Sequence, residues 1–237
     1  MIDRKLLTEY IDRFFGYGNL EAKYWFVGLE EGGDDDPASV QKRLELWNAS
    51  GRPAVIDLQR MMRALDGIDW FGLHAPLQRT WRALIRARFA AQGQRPALDE
   101  IKRYQREVLG RSEGDTALLE LLPLPARGRR PDELWPYAVL GIPSLASRNE
   151  YRTEYEERRR KGLLELIDAN RPRAVVTYGD ARAWRDRLSV HEPVNAKAWV
   201  GQRGRTVIIC THHPEAARAN AHWQLIGETI ARRVTIA

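Results

Sequence analysis

The sequence predicts an α/β protein: a three-layer α/β/α sandwich around a central, mainly parallel four-stranded sheet, with a helical insertion. Two observations lead to this. Four short runs rich in β-branched and apolar residues, at 23–27, 117–122, 173–178 and 206–210, read as strands buried on both faces. The segments between them carry apolar residues three and four apart, the spacing of helices. Strands separated by helices pair in parallel through right-handed crossovers, which gives the layered architecture.

Taken in order, residues 2–15 form an amphipathic helix that Gly16-Tyr17-Gly18-Asn19 ends with turn residues. The first strand, 23–27, runs out into Gly28-Leu29-Glu30-Glu31-Gly32-Gly33, and then into Asp34, Asp35, Asp36 and Pro37. Helical patterns follow at 38–47, 54–65, 77–91 and 98–109, so the region from about 37 to 110 reads as a helical insertion in a single domain spanning 1–237. The second strand, 117–122, enters a stiff loop, Pro123-Leu124-Pro125-Ala126, which turns into the basic cluster Arg127-Gly128-Arg129-Arg130. Residues 136–147 are irregular, 148–169 are a long helix charged in its first half, and the third strand is closed by Gly179-Asp180. Helix resumes at 181–188. The fourth strand stops abruptly at His212-His213-Pro214, and a last helix lies within 214–234.

Composition narrows the class. At 237 residues and 43% hydrophobic content the chain can bury a core of its own. No apolar run approaches the roughly 18 residues that a bilayer-spanning helix needs, and the N-terminus begins an amphipathic stretch rather than a signal peptide. A cytoplasmic protein with no membrane association is expected. The single cysteine, Cys210, lies inside a strand, which excludes a disulfide framework, a cysteine-held zinc and an iron–sulfur cluster within one chain. The formal net charge is +6 and arginine outnumbers lysine. Guanidinium forks grip phosphate bidentately, so the balance leans towards nucleic acid.

In an open parallel sheet the ligand site lies beyond the carboxyl ends of the strands. The polar candidates all fall there: Glu30 and Glu31, residues 123–130, residues 178–180, and Thr211, His212 and His213. Four loops distant in sequence therefore converge on one rim. Taken alone, the acidic run 34–36 also fits a helix N-terminus, where carboxylates favour the dipole. The run 158–161 fits a salt-bridged solvent face beside Glu154, Glu156 and Glu157. His212, His213 and His222 lack the spacing of a metal site, and no metal or cofactor is expected.

The strand ending in G-L-E-E-G-G, the strand running into L-L-P-L-P-A, the strand ending in T-Y-G-D-A and the last strand ending in H-H-P resemble, in that order, the uracil-DNA glycosylase superfamily. The resemblance covers most of the chain outside 37–110. It implies a water-activating residue at Glu30, with Glu31 where the family usually has proline, and a base-contacting histidine at His213. Glu31 and His212 are the second candidates. It further implies a base pocket formed by Gly28, Gly32, Gly33, Pro123 and Tyr178. DNA contacts are implied at Gly179, and at Arg218 in the loop that enters DNA; Arg127, Arg129 and Arg130 are read from their own charge as the residues to hold DNA phosphates while a base is flipped. The chain departs from the pattern in two places. Leu121-Leu122-Pro123-Leu124-Pro125 offers no base-reading asparagine, and Gly32 and Gly33 leave space where strict uracil enzymes carry a bulky residue.

The chemistry fits the residue types. Breaking an N-glycosidic bond builds oxocarbenium character on the sugar and negative charge on the departing base, which calls for a carboxylate at the sugar and a donor at the base oxygen. The expected activity is hydrolysis of a damaged or modified base from double- or single-stranded DNA by a monomer. Plain uracil is not the expected base; a modified pyrimidine, such as a hypermodified phage base attacked in defence, fits the open pocket. The alternatives are a non-catalytic nucleic-acid-binding protein on the same fold and a hydrolase of small nucleosides. Tyr17, Trp47, Trp135 and Tyr178 are the candidates to stack on a flipped base.

Overall fold

The computed structural model describes residues 2–65, 67–126 and 135–236. The four expected strands form its centre: β2 (Tyr24–Glu30), β4 (Thr116–Leu122), β5 (Ala174–Tyr178) and β8 (Thr206–Thr211). They lie in the order β4-β2-β5-β8, each pair parallel. Nearly every residue in them is buried, which is why they read as unbroken apolar runs.

The sheet is not four-stranded. Among the described residues it has eight strands and is mixed, because short strands extend both edges. On one side β1 (Gly16–Gly18) pairs antiparallel with β4, and β3 (Val55–Ile56) pairs parallel with β1. The tripeptide expected to be a turn is therefore a strand. Gly16 sits at φ 137°, and a Cβ there would lie 2.3 Å from the Leu118 carbonyl oxygen, so only glycine lets the backbones approach this closely. On the other side β7 (Ala198–Arg203) and β6 (Glu192–Asn195) continue antiparallel from β8. Their mixed polarity hid them from an apolar-run reading, and β6 forms the edge of the sheet.

Helices flank the strands where the 3.6-residue pattern predicted them, except that the helix expected over 54–65 begins only at Leu58, because Val55 and Ile56 form β3. α1 (Arg4–Arg13) is capped by Asp3, whose carboxylate accepts from the Lys5 and Leu6 amides at 2.9 and 3.1 Å. α2 (Pro37–Ala49) is capped by Asp36, which accepts from the Ser39 amide at 3.0 Å. One member of the acidic run is thus a helix cap. α3 (Leu58–Ala64), α4 (Arg79–Ala90) and α5 (Leu98–Glu107) complete the region before β4. α6 (Arg148–Asn170) packs on β4, α7 (Ala181–Leu188) on β5 and β8, and α8 (Asn220–Ile236) on β8 and α4.

The α4–α8 contact is close because α8 carries Gly227, where a Cβ would lie 2.2 Å from the Ala87 carbonyl oxygen and 2.4 Å from the Ala90 Cβ. Both obstacles belong to an opposing helix that cannot rotate away. Gly227→Ala is expected to destabilise the protein by about 1–3 kcal/mol, as overpacking does; an unchanged urea midpoint would show that the helices separate freely.

The charged run on α6 is not a uniform solvent face. Arg158 pairs with Asp12 and Lys161 with Glu165 at the surface. Arg159 is buried: its guanidinium donates to the carbonyl oxygens of Glu120 and Leu121, both at 2.9 Å, and stacks on Phe15. Arg160, also buried, bridges Glu156 and Asp180 and lies over the Trp184 ring. Two of the four cations therefore bolt α6 to the carboxyl ends of β4 and β5. Among the described residues no helix is long and apolar enough to cross a membrane.

Candidate functional site

The chain leaves β2 towards β4 but leaves β5 towards β8, so the loops after β2 and β5 diverge and open a crevice between them. A cavity of about 680 Å³ occupies that crevice. Its wall includes Glu30 from β2, Gly179 and Asp180 after β5, His212 and His213 after β8, and Arg148 from the start of α6. A separate cavity of about 410 Å³ is built from α5 and the segment before α4 and touches no strand end.

Glu30 is the last residue of β2, and only 7% of its side chain is exposed. Its carboxylate faces the Arg148 guanidinium in an ion pair, and neither oxygen receives an aligned hydrogen bond among the described residues. Arg148 is the first residue of α6, where the helix dipole disfavours a cation. Burial and the nearby Arg152 lower its pKa further. Arg148 therefore holds its place at the cavity against its local electrostatics, with Glu30 as the compensating charge.

Glu31, the first residue after β2, is turned elsewhere. Its carboxylate takes a bidentate grip from Arg43 of α2, at 2.9 and 3.1 Å, and accepts from the Tyr17 hydroxyl at 2.6 Å. Arg43 also donates to the Tyr17 hydroxyl at 2.8 Å. Burial works against the Arg43 cation, yet Glu31 holds its pKa above the ordinary value. The Glu31 carbonyl accepts from the Ala126 amide at 2.9 Å, which ties the loop after β2 to the loop after β4. This is a structural clamp beside the site.

His213 is half-buried, with its ring 5.6 Å from that of Tyr178. Its Nδ1 accepts from the Glu215 amide at 3.2 Å, which leaves the neutral ring's proton on Nε2. His212 is held by its backbone, donating to the Lys197 carbonyl at 3.2 Å, and its ring lies 6.1 Å from Trp199. His222 belongs to a different network. The Asn195 amide nitrogen meets its Nδ1 at 3.1 Å, and Thr211 Oγ1 lies 2.9 Å from its Nε2 and from the Lys197 carbonyl oxygen. Burial, and then Lys197 and His212, lower the His222 pKa and keep it neutral, so it braces the end of β8 just before His212. Among the described residues no three His, Cys, Asp or Glu side chains are grouped to hold a metal ion. Burial pushes the Cys210 thiol up to about 11, which leaves it unreactive.

Of the expected pocket residues, Gly32 lines the cavity, and a Cβ there would meet nothing within 4 Å. A Cβ on Gly33 would meet only the tip of Arg43 at 3.9 Å. Gly179 lines the cavity at φ 93°. Pro123 is buried directly after β4, and Tyr178 is buried at the end of β5. Gly28 lies within β2, since the strand continues through Glu30 rather than stopping at Val27. Among the stacking candidates Tyr178 alone lies against His213; Tyr17 and Trp47 belong to the core, and Trp135 packs edge-on against Tyr137. Arg218 lies outside this cavity, paired with Glu215 at 2.8 Å. Arg127, Arg129 and Arg130 lie outside the described residues.

One residue in the wall of the cavity, Arg148, and one acid opposite Gly28 on the neighbouring strand, Glu120, escaped sequence reasoning. Arg148 left no signal, because only the tertiary fold brings the start of α6 to the end of β2. Glu120 left one: a lone carboxylate inside an apolar strand run. In the register of β4 it pairs with Gly28, and a Cβ on Gly28 would lie 2.2 Å from Glu120 Oε2. The carboxyl group therefore lies across the β2 backbone, which only glycine permits. Its Oε2 is sealed from solvent without a partner among the described residues. Burial, and then Glu31, raise the Glu120 pKa well above the usual carboxylate range despite Arg159. Burial and then Glu120 also raise the pKa of Tyr178.

A raised folded pKa means that the native state binds more protons than the unfolded state once pH passes the unfolded value of roughly 4.3. Stability from Glu120 is complete below that value and is lost as pH rises through the folded pKa. Glu120→Gln is therefore expected to flatten the fall in stability between mildly acidic and neutral pH. Urea titrations of both proteins across that range test it, and parallel curves would refute it.

No protein-family model matches the chain, and no match is found among curated proteins.

Proposed function

We propose that the protein hydrolyses the N-glycosidic bond of a damaged or modified base in DNA, on a three-layer fold of the uracil-DNA glycosylase kind. The observation that carries this reading is that Glu30 and His213, from opposite ends of the chain, line one cavity at the carboxyl ends of parallel strands. In this reading the C1′–N bond breaks with its electron pair going to the base. The Glu30 carboxylate stabilises the cationic sugar, orients the water that adds to C1′ and takes the proton that this water loses, and the anionic base regains a proton from solvent after it departs. The Nε2–H of His213 donates to the oxygen of the departing base. The open space beside Gly32 suits a base larger than uracil.

The test is abasic-site formation by purified protein on duplex and single-stranded DNAs carrying uracil, oxidised, deaminated and 5-modified bases, beside Glu30→Gln and His213→Ala. Cleavage of one class of base, lost in both variants, is expected. Rapid turnover of plain uracil would overturn the proposed preference, and wild-type silence across the panel would overturn the reaction.

One observation favours a non-catalytic DNA-binding protein instead: the Glu30 carboxylate is turned onto Arg148. That reading predicts salt-dependent DNA binding with no abasic sites on any substrate.

A further inference from the structure

A second cavity, of about 380 Å³, lies on the far side of the histidine loop. Its wall includes Arg79 and Arg82 of α4, Pro214, Glu215 and Arg218 of the loop after β8, and Asn220 at the start of α8. Arg218 is engaged, pairing with the Glu215 carboxylate at 2.8 Å and donating to the Glu215 carbonyl at 2.8 Å. The two arginines of α4 are not. Among the described residues no hydrogen bond or ion pair engages the guanidinium of Arg79 or Arg82, nor that of Arg86 one turn along the same helix. The Nε atoms of Arg82 and Arg86 are sealed from solvent with no acceptor.

Like charges one turn apart on a helix repel, and a buried N–H without an acceptor is an unmade hydrogen bond. Burial and then Arg82 lower the pKa of Arg86, the mark of that crowding. An anion held by the Nη groups of Arg79 and Arg82, both in the wall of the cavity, relieves the repulsion between them. α4 and α8 also begin at this cavity, with Arg79 and Asn220 as their first residues, so the positive ends of two helix dipoles add to the guanidinium charge. Glu215 is the opposing carboxylate, and Arg218 already neutralises it.

We propose that this cavity is a phosphate site for the DNA backbone, in which Arg79 and Arg82 grip a phosphodiester while the sugar of the same strand lies at Glu30 and His213. The proposal rests on the reading of DNA as substrate. It is favoured over a site for a free anion because Glu215 is common to the walls of both cavities, so one strand can pass from one to the other. The residues 37–110 then carry part of the substrate-binding surface rather than only covering the sheet.

The experiment measures binding of fluorescein-labelled duplex and single-stranded DNA over a range of salt. It compares wild type, Arg79→Ala, Arg82→Ala, the double variant, Arg82→Lys and the control Lys161→Ala. The slope of log affinity against log salt is expected to fall by about one per lost phosphate contact. Arg82→Lys is expected to keep most of the slope, which also covers the case in which Arg82→Ala does not fold. A double variant with the slope and affinity of the control overturns the proposal, as does a wild type without salt-dependent DNA binding. In a parallel arm, thermal stabilisation by inorganic phosphate that depends on Arg82, with an unchanged DNA slope, assigns the cavity to free anions and overturns it too. Abasic-site assays on the same samples separate the two readings. Activity with an unaltered slope sinks this inference alone, and a reduced slope without activity supports it while sinking the glycosylase.

Discussion

Arg43→Ala is expected to be among the most damaging single substitutions in the chain, lowering unfolding free energy by about 3–5 kcal/mol. The Arg43 side chain is 2% exposed and that of Glu31 16%, so removing the cation strands a carboxylate in a poorly solvated place. The same change removes the donor to the Tyr17 hydroxyl and unlocks Glu31, whose carbonyl ties the loops after β2 and β4 together. The damage comes from the unpaired partner rather than from a net worth of the pair. The double variant Arg43→Met with Glu31→Leu is therefore expected to recover most of the loss. Urea unfolding of the single and double variants measures both. A single variant within about 1 kcal/mol of wild type would mean that water reaches Glu31 and that the clamp is not structural.

Glu30→Gln is expected to reduce abasic-site formation by about 10²–10⁴-fold while DNA affinity stays near that of wild type. The amide keeps the size of the side chain and its place against Arg148 but removes the negative charge that a cationic sugar needs. His213→Ala is expected to fall by a comparable factor for a different reason, the loss of a donor at the departing base. Bases that leave readily as anions should be affected less by His213→Ala and as much as others by Glu30→Gln. Single-turnover rates on substrates graded by the acidity of the free base check this. Activity of Glu30→Gln within a few-fold of wild type would remove Glu30 from the reaction, and equal sensitivity of all bases to His213→Ala would remove the histidine from the leaving group.

The four central strands were legible because a strand buried on both faces has to be apolar throughout, a property of the local sequence. With those strands in place, parallel pairing puts Glu30, Gly179 and His213 at one rim without further information. The strands that extend the sheet beyond these four were illegible for the converse reason. β1 is two glycines around a tyrosine, and β6 is half exposed, so neither shows the run or the strict alternation that marks a strand. Charged residues were the least legible of all. Nothing in Arg158-Arg159-Arg160-Lys161 shows that the middle two are buried on carbonyls and an aspartate while the outer two face water.

The sequence by itself determined the α/β class, the positions of the four central strands along the chain and the loops that bear the polar residues, because burial patterning and turn chemistry act over a few residues; their order in the sheet came from the tertiary structure. Only the tertiary structure decided which charge meets which. Glu30 and Glu31 are adjacent in sequence, yet one faces Arg148 in the cavity and the other is locked onto Arg43. Glu120 can lay its carboxyl group across β2, with one oxygen sealed from solvent, only because Gly28 lies opposite it on the neighbouring strand. Electrostatic partners are set by distance through space and by exclusion of water, and neither is written in the spacing of residues along the chain.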